Sequence, residues 1–269
     1  MSTLTFKKLI WDYYKKHGRN LPWRRTRDPY RILVSEIMLQ QTQVVRVIPK
    51  YQVFLKRFPT FSKLAYTQLG DVLKTWQGLG YNRRAKYLWT TAQQVIMEHG
   101  GKLPSDPAIL QKLPGIGPNT AGALVAFAFN KPVVFIETNI RSVFIHEFFK
   151  NRRVITDKDI LPLIERTCPA EPRRSREWYY ALMDYGAMLK ATKPNPSRRS
   201  SHHSRQSQFE GSNRQLRGAI IRILAATHDT TAAELTQLID FPMRRIKISL
   251  TKLTQEGLIA SAYGRYRLA

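Results

Sequence analysis

A single cysteine, Cys168, stands among 269 residues. That excludes a disulfide framework. It also excludes a four-cysteine zinc site or iron–sulfur cluster held within one chain, because each needs several thiolates. Beside Pro169, the cysteine reads as a small buried hydrophobe. Long apolar runs are missing as well: the longest, 121–129, falls far short of the ~20 residues of a membrane span. The opening MSTLTFKK lacks the apolar core of a signal peptide, so a soluble intracellular chain without a membrane partner is expected. Acidic residues are the third scarcity. Nineteen Asp and Glu face 44 Lys and Arg, for a net charge of +25. This imbalance points to a polyanion partner, of which nucleic acid is the commonest. A merely basic soluble protein and a protein on anionic lipid are the alternatives. A hydrophobic content of 43% suffices for a packed core and excludes wholesale disorder.

Three regions follow one another along the chain. Residues 1–189 read as helices with roughly helical apolar spacing, parted by Pro and Gly signals at 58–59, 78–80, 100–101, 104 and 107. Alternating apolar and polar runs are scarce there, so the region is expected to be all-α. Residues 190–212, KATKPNPSRRSSHHSRQSQFEGS, are polar and basic, the composition of a loop or linker that cannot bury itself. Its His202 and His203 lack close acidic or thiol neighbours, which disfavours a metal site. Residues 213–269 regain periodicity. A helix over 214–226 precedes a Thr230/Thr231 cap, a second helix over 232–239 and a third from Pro242 to about Glu256, closed by Gly257. A hairpin then turns at Tyr263-Gly264. Three helices and a hairpin outline a winged helix.

The segment LPGIGPNTAGAL (113–124) opens an apolar helix. Gly115 and Gly117 let backbone approach a ligand without a Cβ, and the following helix offers free N–H groups and its positive end. That suits a DNA phosphate; an ordinary packing joint between two helices is the bland alternative.

This segment resembles the helix-hairpin-helix of the DNA glycosylase superfamily that includes endonuclease III. LPWR (21–24), DPYRILVSEIMLQQTQV (28–44), QGLGYNRRA (77–85), IETNIRSV (136–143) and MDYGAML (183–189) are similar, in order, to the A/G-mismatch adenine glycosylases, the MutY family of the HhH-GPD superfamily. The likeness covers about 6–189. It implies an all-α, two-lobed helix-hairpin-helix glycosylase core over 1–189, with one lobe at roughly 22–131 and the other at 1–21 plus 132–189. DNA would lie in the cleft between lobes, followed by the basic loop 190–212 and a winged-helix domain at 213–269.

The resemblance also implies roles. Glu36, between apolar helix positions, would be the acid that protonates the departing adenine; read alone it is a solvated face residue. Glu137 would stabilise the oxocarbenium-like sugar or attack it, with Asn139 in support; read alone it complements a helix dipole. The family carries Asp where this chain carries Glu137, a carboxylate one methylene longer. Asn119 stands where bifunctional relatives carry a Schiff-base lysine, which implies a monofunctional enzyme without lyase chemistry. Arg19, Trp23 and Arg24 match the base pocket. Gln40, Gln41, Thr42, Leu79, Gly80 and Tyr81 match positions that contact or enter the duplex, with Gly115, Gly117 and Thr120 at the hairpin.

Two departures from the family stand out. No cysteine follows the Gly-Ala-Met segment, so the chain resembles the members without an iron–sulfur cluster, and Arg198, Arg199 and Arg205 of the basic loop are candidates to dock on phosphate instead. No cofactor is expected, apart from a monovalent cation considered at the hairpin. The usual C-terminal domain that recognises 8-oxoguanine is replaced by the shorter winged-helix tail. There Arg244, Arg245, Lys247 and Lys252, with Arg265 and Arg267 of the wing, either contact duplex or belong to a protein-interaction domain. The expected function is hydrolysis of the glycosidic bond of adenine opposite 8-oxoguanine or guanine in double-stranded DNA, by a monomer, cytoplasmic or nucleoid-associated in a prokaryote. A glycosylase for thymine or uracil opposite guanine or for hypoxanthine, and a DNA-binding module impaired at Glu137, are the alternatives.

Overall fold

The structure is a computed structural model that describes every residue except Ala170, Pro172, Arg173, Arg205, Gln206 and His228. Its helices are α1 (Thr3–His17), α2 (Pro29–Leu39), α3 (Val44–Arg57), α4 (Phe61–Ala65), α5 (Leu69–Trp76), α6 (Arg83–His99), α7 (Pro107–Leu110), α8 (Pro118–Phe127), α9 (Thr138–Phe148), α10 (Asp157–Thr167), α11 (Ser175–Thr192), α12 (Asn213–Ala226), α13 (Ala232–Leu238) and α14 (Met243–Gln255). Three short strands, β1 (Thr230–Thr231), β2 (Ile259–Ala262) and β3 (Arg265–Leu268), form one antiparallel sheet in the order β1-β3-β2. The expected helical fold with a C-terminal winged helix is present. None of the described helices is long and apolar enough to cross a membrane.

The chain divides into two compact units. The first comprises Met1–Leu33, Pro104–Lys112 and Ile116–Arg205. Its core is aromatic: Phe6 of α1 lies 5.1 Å from Phe144 of α9 and 6.0 Å from Trp178 of α11, and all three are fully buried. Burying each such ring contributes about 1.5–3 kcal/mol. The Gly-Ala-rich face of α8 lets segments close in, because a Cβ on Gly122 would stand 2.4 Å from the Phe135 Cβ.

The second unit comprises Val34–Leu103, Leu113–Gly115 and Gln206–Ala269. Phe54, Phe58 and Trp76 pack edge to face at the centre of α3–α6. The winged helix belongs to this unit, with α12 and β3 against α5. Ala269 O would lie only 3.2 Å from a Cβ on Gly70, so the chain end approaches α5 closely. Thr231 caps α13 as expected, and Glu234 completes a reciprocal box with it. Thr230 and Thr231 also extend the hairpin into a third strand, through register pairs with Tyr266 and Arg265.

One expectation changes. The polar segment after α11 is not a solvated linker throughout. Pro196, Ser197 and Ser200 are buried, and Pro196–Arg199 form a 3-10 turn against α9. Polarity does not prevent this burial, because each buried group finds a hydrogen-bond partner. Ser197 Oγ meets Ser142 Oγ at 2.6 Å and donates to Thr138 O at 3.0 Å.

Candidate active site and nucleic-acid interface

In the second unit, Glu36 sits half-buried on α2 between the buried Ser35 and Ile37. The helix ends at Leu39, leaving carbonyls without helical partners. Arg84, on α6 and only 7% exposed, takes them up. Its Nη1 donates to the carbonyls of Ile37 (2.8 Å), Met38 (2.8 Å) and Gln40 (2.6 Å). Its Nη2 donates to Thr42 Oγ1 (3.0 Å), Leu79 O (3.3 Å) and Gly80 O (3.0 Å). A planar guanidinium with several fixed donors suits this task as a lysine would not. Burial pushes the Arg84 pKa down to about 10, and the Tyr81 hydroxyl acts against that shift; the group stays charged at neutral pH.

One buried cation thus knits together the two segments holding Gln40, Gln41, Thr42, Leu79, Gly80 and Tyr81. Gln41 and Tyr81 both adopt left-handed backbone, at φ 55° and 50°. Non-glycine residues resist that region, and such strain gathers at functional loops. Two guanidinium groups stand near the Tyr81 ring, Arg84 at 5.5 Å and Arg214 of α12 at 5.2 Å, and Arg214 also donates to its hydroxyl. Gln40 Nε2 donates to Gly115 O at 3.2 Å, which joins the α2 loop to the hairpin. Gly115 has φ 77°, and a Cβ there would stand 2.9 Å from the Tyr87 Cβ, so this position requires glycine twice over. Gly117 is the exposed N-cap of α8 with open space around it, Pro118 occupies N1, Asn119 is exposed and Thr120 half-buried.

In the first unit, Glu137 is the N-cap of α9. Its Oε1 accepts from the backbone N–H of Asn139 (2.8 Å) and Ile140 (3.0 Å), and Oε2 from Asn139 Nδ2 (3.2 Å). The helix-capping reading of this residue is therefore directly visible, and Asn139 supports the carboxylate through both backbone and side chain. The carboxylate folds back onto the helix end, where the free N–H groups and the positive end of the helix dipole favour it. The glycine of MDYGAML has its reason nearby: a Cβ on Gly186 would stand 2.4 Å from Asn139 O, so only glycine lets α11 approach the turn that carries Glu137.

Asp184 of the same motif is 2% exposed and gathers both arginines of the expected base pocket. Arg19 reaches it through Nε (2.6 Å) and its own backbone N–H (2.8 Å). Arg24 forms a two-pronged pair (2.7 and 2.8 Å), with its guanidinium 4.3 Å from the Tyr180 ring centre. Burial works to raise the Asp184 pKa, but the bonds and charges of Arg24, with those of Arg19, outweigh it and hold the carboxyl below its usual range. Trp23 is buried beside them at 4% exposure.

Three residues near these groups escape a reading by motif. Arg84 lies inside QGLGYNRRA, but its partners are backbone atoms up to 47 residues away, which no side-chain pattern reveals. Asp184 was likewise legible only as a motif letter. Lys190 is half-buried, with its ammonium held below the usual lysine range by burial, while Glu137 favours the charge and Arg19 opposes it. In the basic loop Arg198 is exposed. Arg199 instead donates to the carbonyls of Ile145, Phe149, Lys150 and Arg152 at 2.6–3.2 Å, closing the C-terminal end of α9. Arg205 lies outside the described residues. Among the described residues no group of three or more His, Cys, Asp or Glu is placed to hold a metal ion.

Residues 34–170 match the family described as HhH-GPD superfamily base excision DNA repair protein. The chain is 33% identical to the adenine DNA glycosylase of Mycolicibacterium smegmatis, over 100% of this chain and 97% of that one. The chain belongs to the adenine DNA glycosylase family of the HhH-GPD superfamily. It is 39% identical to the adenine DNA glycosylase of Buchnera aphidicola subsp. Baizongia pistaciae over 199 residues, which are 73% of this chain and 56% of the relative. It thus spans little more than half the length of that relative. Among solved structures it resembles a thermostable thymine-DNA glycosylase at 27% identity and TM-score 0.62, across 73% of this chain and 91% of that one.

Proposed function

We propose that this chain is a monofunctional adenine DNA glycosylase of base excision repair. It would take adenine opposite 8-oxoguanine or guanine out of duplex DNA and hydrolyse its bond to the sugar. The observation that carries this reading is the alignment with a curated adenine glycosylase along the whole chain.

In the proposed reaction Glu36, as the carboxylic acid, gives its proton to the adenine ring, and the base leaves with the electron pair of the C1′–N bond. The positive charge developing on the sugar is met by the Glu137 carboxylate, which Asn139 and the N-terminus of α9 hold in place. Water adds at C1′ and its released proton returns to the Glu36 carboxylate, leaving free adenine, an abasic site and the regenerated acid. Trp23, Arg19 and Arg24 would form the base pocket, with Asp184 fixing both guanidinium groups. Tyr81 and Gln40 would fill the space the nucleotide leaves, with Gln41 and Thr42 beside them, and the α8 N-terminus at Gly117 and Thr120 would hold phosphate. Arg198 is the described member of the basic loop with its charge exposed for phosphate. The reading needs no iron–sulfur cluster. Asn119 supplies no amine for lyase chemistry, so borohydride is expected to trap no covalent complex with abasic DNA, with Lys190 the first residue to test if it does.

A single-turnover panel of A:8-oxoG, A:G, T:G, U:G and hypoxanthine duplexes tests the substrate. Release of adenine above all other bases is expected. The likeness to a thymine-DNA glycosylase favours the T:G duplex as second reading, and cleavage of T:G alone would replace the first. Binding of mismatched DNA with no cleavage of any duplex would leave a binding module. Glu137→Asp is expected to keep or raise activity.

A further inference from the structure

Residues 213–269 take no part in the proposed chemistry, yet three of their features call for a ligand. The first is α14. Ile246, Ser249, Leu250 and Leu253 bury one face. The other face, with Arg244, Lys247, Ile248, Thr251, Lys252 and Gln255, is exposed and holds no acidic residue. Arg245 is different in kind, since its Nη2 is bound to Gly211 O (2.8 Å) and Asn213 Oδ1 (3.0 Å). Likewise Arg265 of the wing is paired with Asp229. Arg244, Lys247, Lys252 and Arg267 are the exposed cations of this surface without such ties among the described residues.

The second feature is the hairpin tip. Ala262 pairs with Arg265, so Tyr263-Gly264 is a two-residue turn, with φ 50° and 74°. Gly, Asn and Asp occupy such turns without strain. A tyrosine there is strained, and this one is fully exposed, at 105%. Folding rewards neither the strain nor the exposed ring, so the residue is explained by something it meets.

The third feature is the way this part is fastened. Arg217 forms a two-pronged pair with Glu256 (2.5 and 3.2 Å), and Lys86 Nζ donates to Glu256 O (2.5 Å). Arg214 stands near the Tyr81 and Phe209 rings, at 5.2 and 5.4 Å. The appended helices are therefore tied to α6 and to the Tyr81 loop itself.

We propose that the exposed face of α14 and the Tyr263 tip form a second duplex-DNA surface, held in register with the Tyr81 loop through Arg214 and Glu256. A helix fits the major groove, where Arg244, Lys247 and Lys252 neutralise phosphates, and the Tyr263 tip with Arg267 meets the neighbouring groove. The occupant is duplex DNA because the face is cationic and rigidly presented, with one exposed apolar side chain, Ile248, at its centre.

The proposal rests on the chain binding duplex, not on base excision, so the test uses an undamaged duplex and the full chain. Anisotropy titrations across KCl concentrations compare the parent with Arg244→Gln/Lys247→Gln/Lys252→Gln. The slope of log affinity against log salt is expected to shrink by up to about 2.7, roughly 0.9 for each phosphate no longer neutralised. Tyr263→Gly relaxes the turn, so its melting temperature should hold or rise while duplex affinity falls roughly fivefold or more. A parent that binds duplex and a triple variant with the same slope overturn the proposal while leaving the glycosylase reading standing. A parent that binds no duplex overturns both. Unchanged duplex binding together with abolished binding to polyglutamate would assign the face to an acidic protein and overturn the proposal.

Discussion

Each unit buries a charge with several hydrogen-bond partners, Arg84 in the second and Asp184 in the first, and the two are opposite in sign. In the second unit Arg84 stands among neutral acceptors: five carbonyls and one hydroxyl. In the first unit Asp184 stands among two guanidinium groups and a backbone N–H. Dipoles solvate the first charge, whereas counter-ions neutralise the second. The difference sets what happens when each is removed. Loss of Arg84 strands polar atoms that water can reach once the loops open. Loss of Asp184 strands Arg24, whose side chain is only 7% exposed, and a buried unpaired ion is the more costly defect.

Asp184→Asn is therefore expected to have the largest effect, about 4 kcal/mol of stability, read from urea unfolding at pH 7. The pH dependence has a definite sign. The folded pKa of Asp184 lies below its unfolded value, so its contribution is complete above the ordinary carboxylate range and disappears as pH falls through the folded value. The gap between parent and variant should stay constant from pH 7 to about 5 and close in stronger acid. Arg84→Met should cost about 3 kcal/mol and loosen both loops, seen as faster amide exchange at 40–42 and 79–81. If this variant destabilises more than Asp184→Asn, the contrast between dipolar and ionic solvation is wrong. Gly186→Ala sharpens the comparison within the first unit. The added Cβ meets Asn139 O at 2.4 Å, so about 2 kcal/mol should be lost. Displacing the Glu137 turn by about 1 Å should slow excision by roughly a hundredfold. Arg214→Met should have the smallest effect, about 1 kcal/mol or less, because a partly exposed cation–π contact is weak. Its signature is a severalfold slower excision of a mispaired base with the fold intact, since it removes only one of the two guanidinium groups near the Tyr81 ring.

Much of this was legible in the sequence where physics is local. Thr230 and Thr231 declared a helix start, Tyr263-Gly264 a hairpin, and Gly115 a backbone that needs no Cβ. Helical periodicity marked the chain up to residue 189 as helices joined by short loops. What escaped was the polar interior. Arg84 and Arg199 act on carbonyls that become neighbours only after folding, and carbonyls leave no mark in a side-chain pattern. Arg199 looked like one more surface cation of a basic loop, yet it closes α9. Asp184 sat in a recognised motif with no role attached, because its importance lies in the two arginines 160 and 165 residues away. Glu137 was legible in both of its readings. As a helix cap its geometry is in view; as a stabiliser of the sugar cation it remains the proposal to be tested.

That proposal rests on two carboxylates, Glu36 and Glu137. The most direct test is single-turnover release of adenine from an A:8-oxoG duplex by the parent and by Glu36→Gln, with duplex affinity measured on the same preparations. The account expects the parent to release adenine, and the variant to bind equally well while releasing none. Release at the parental rate by Glu36→Gln would contradict it.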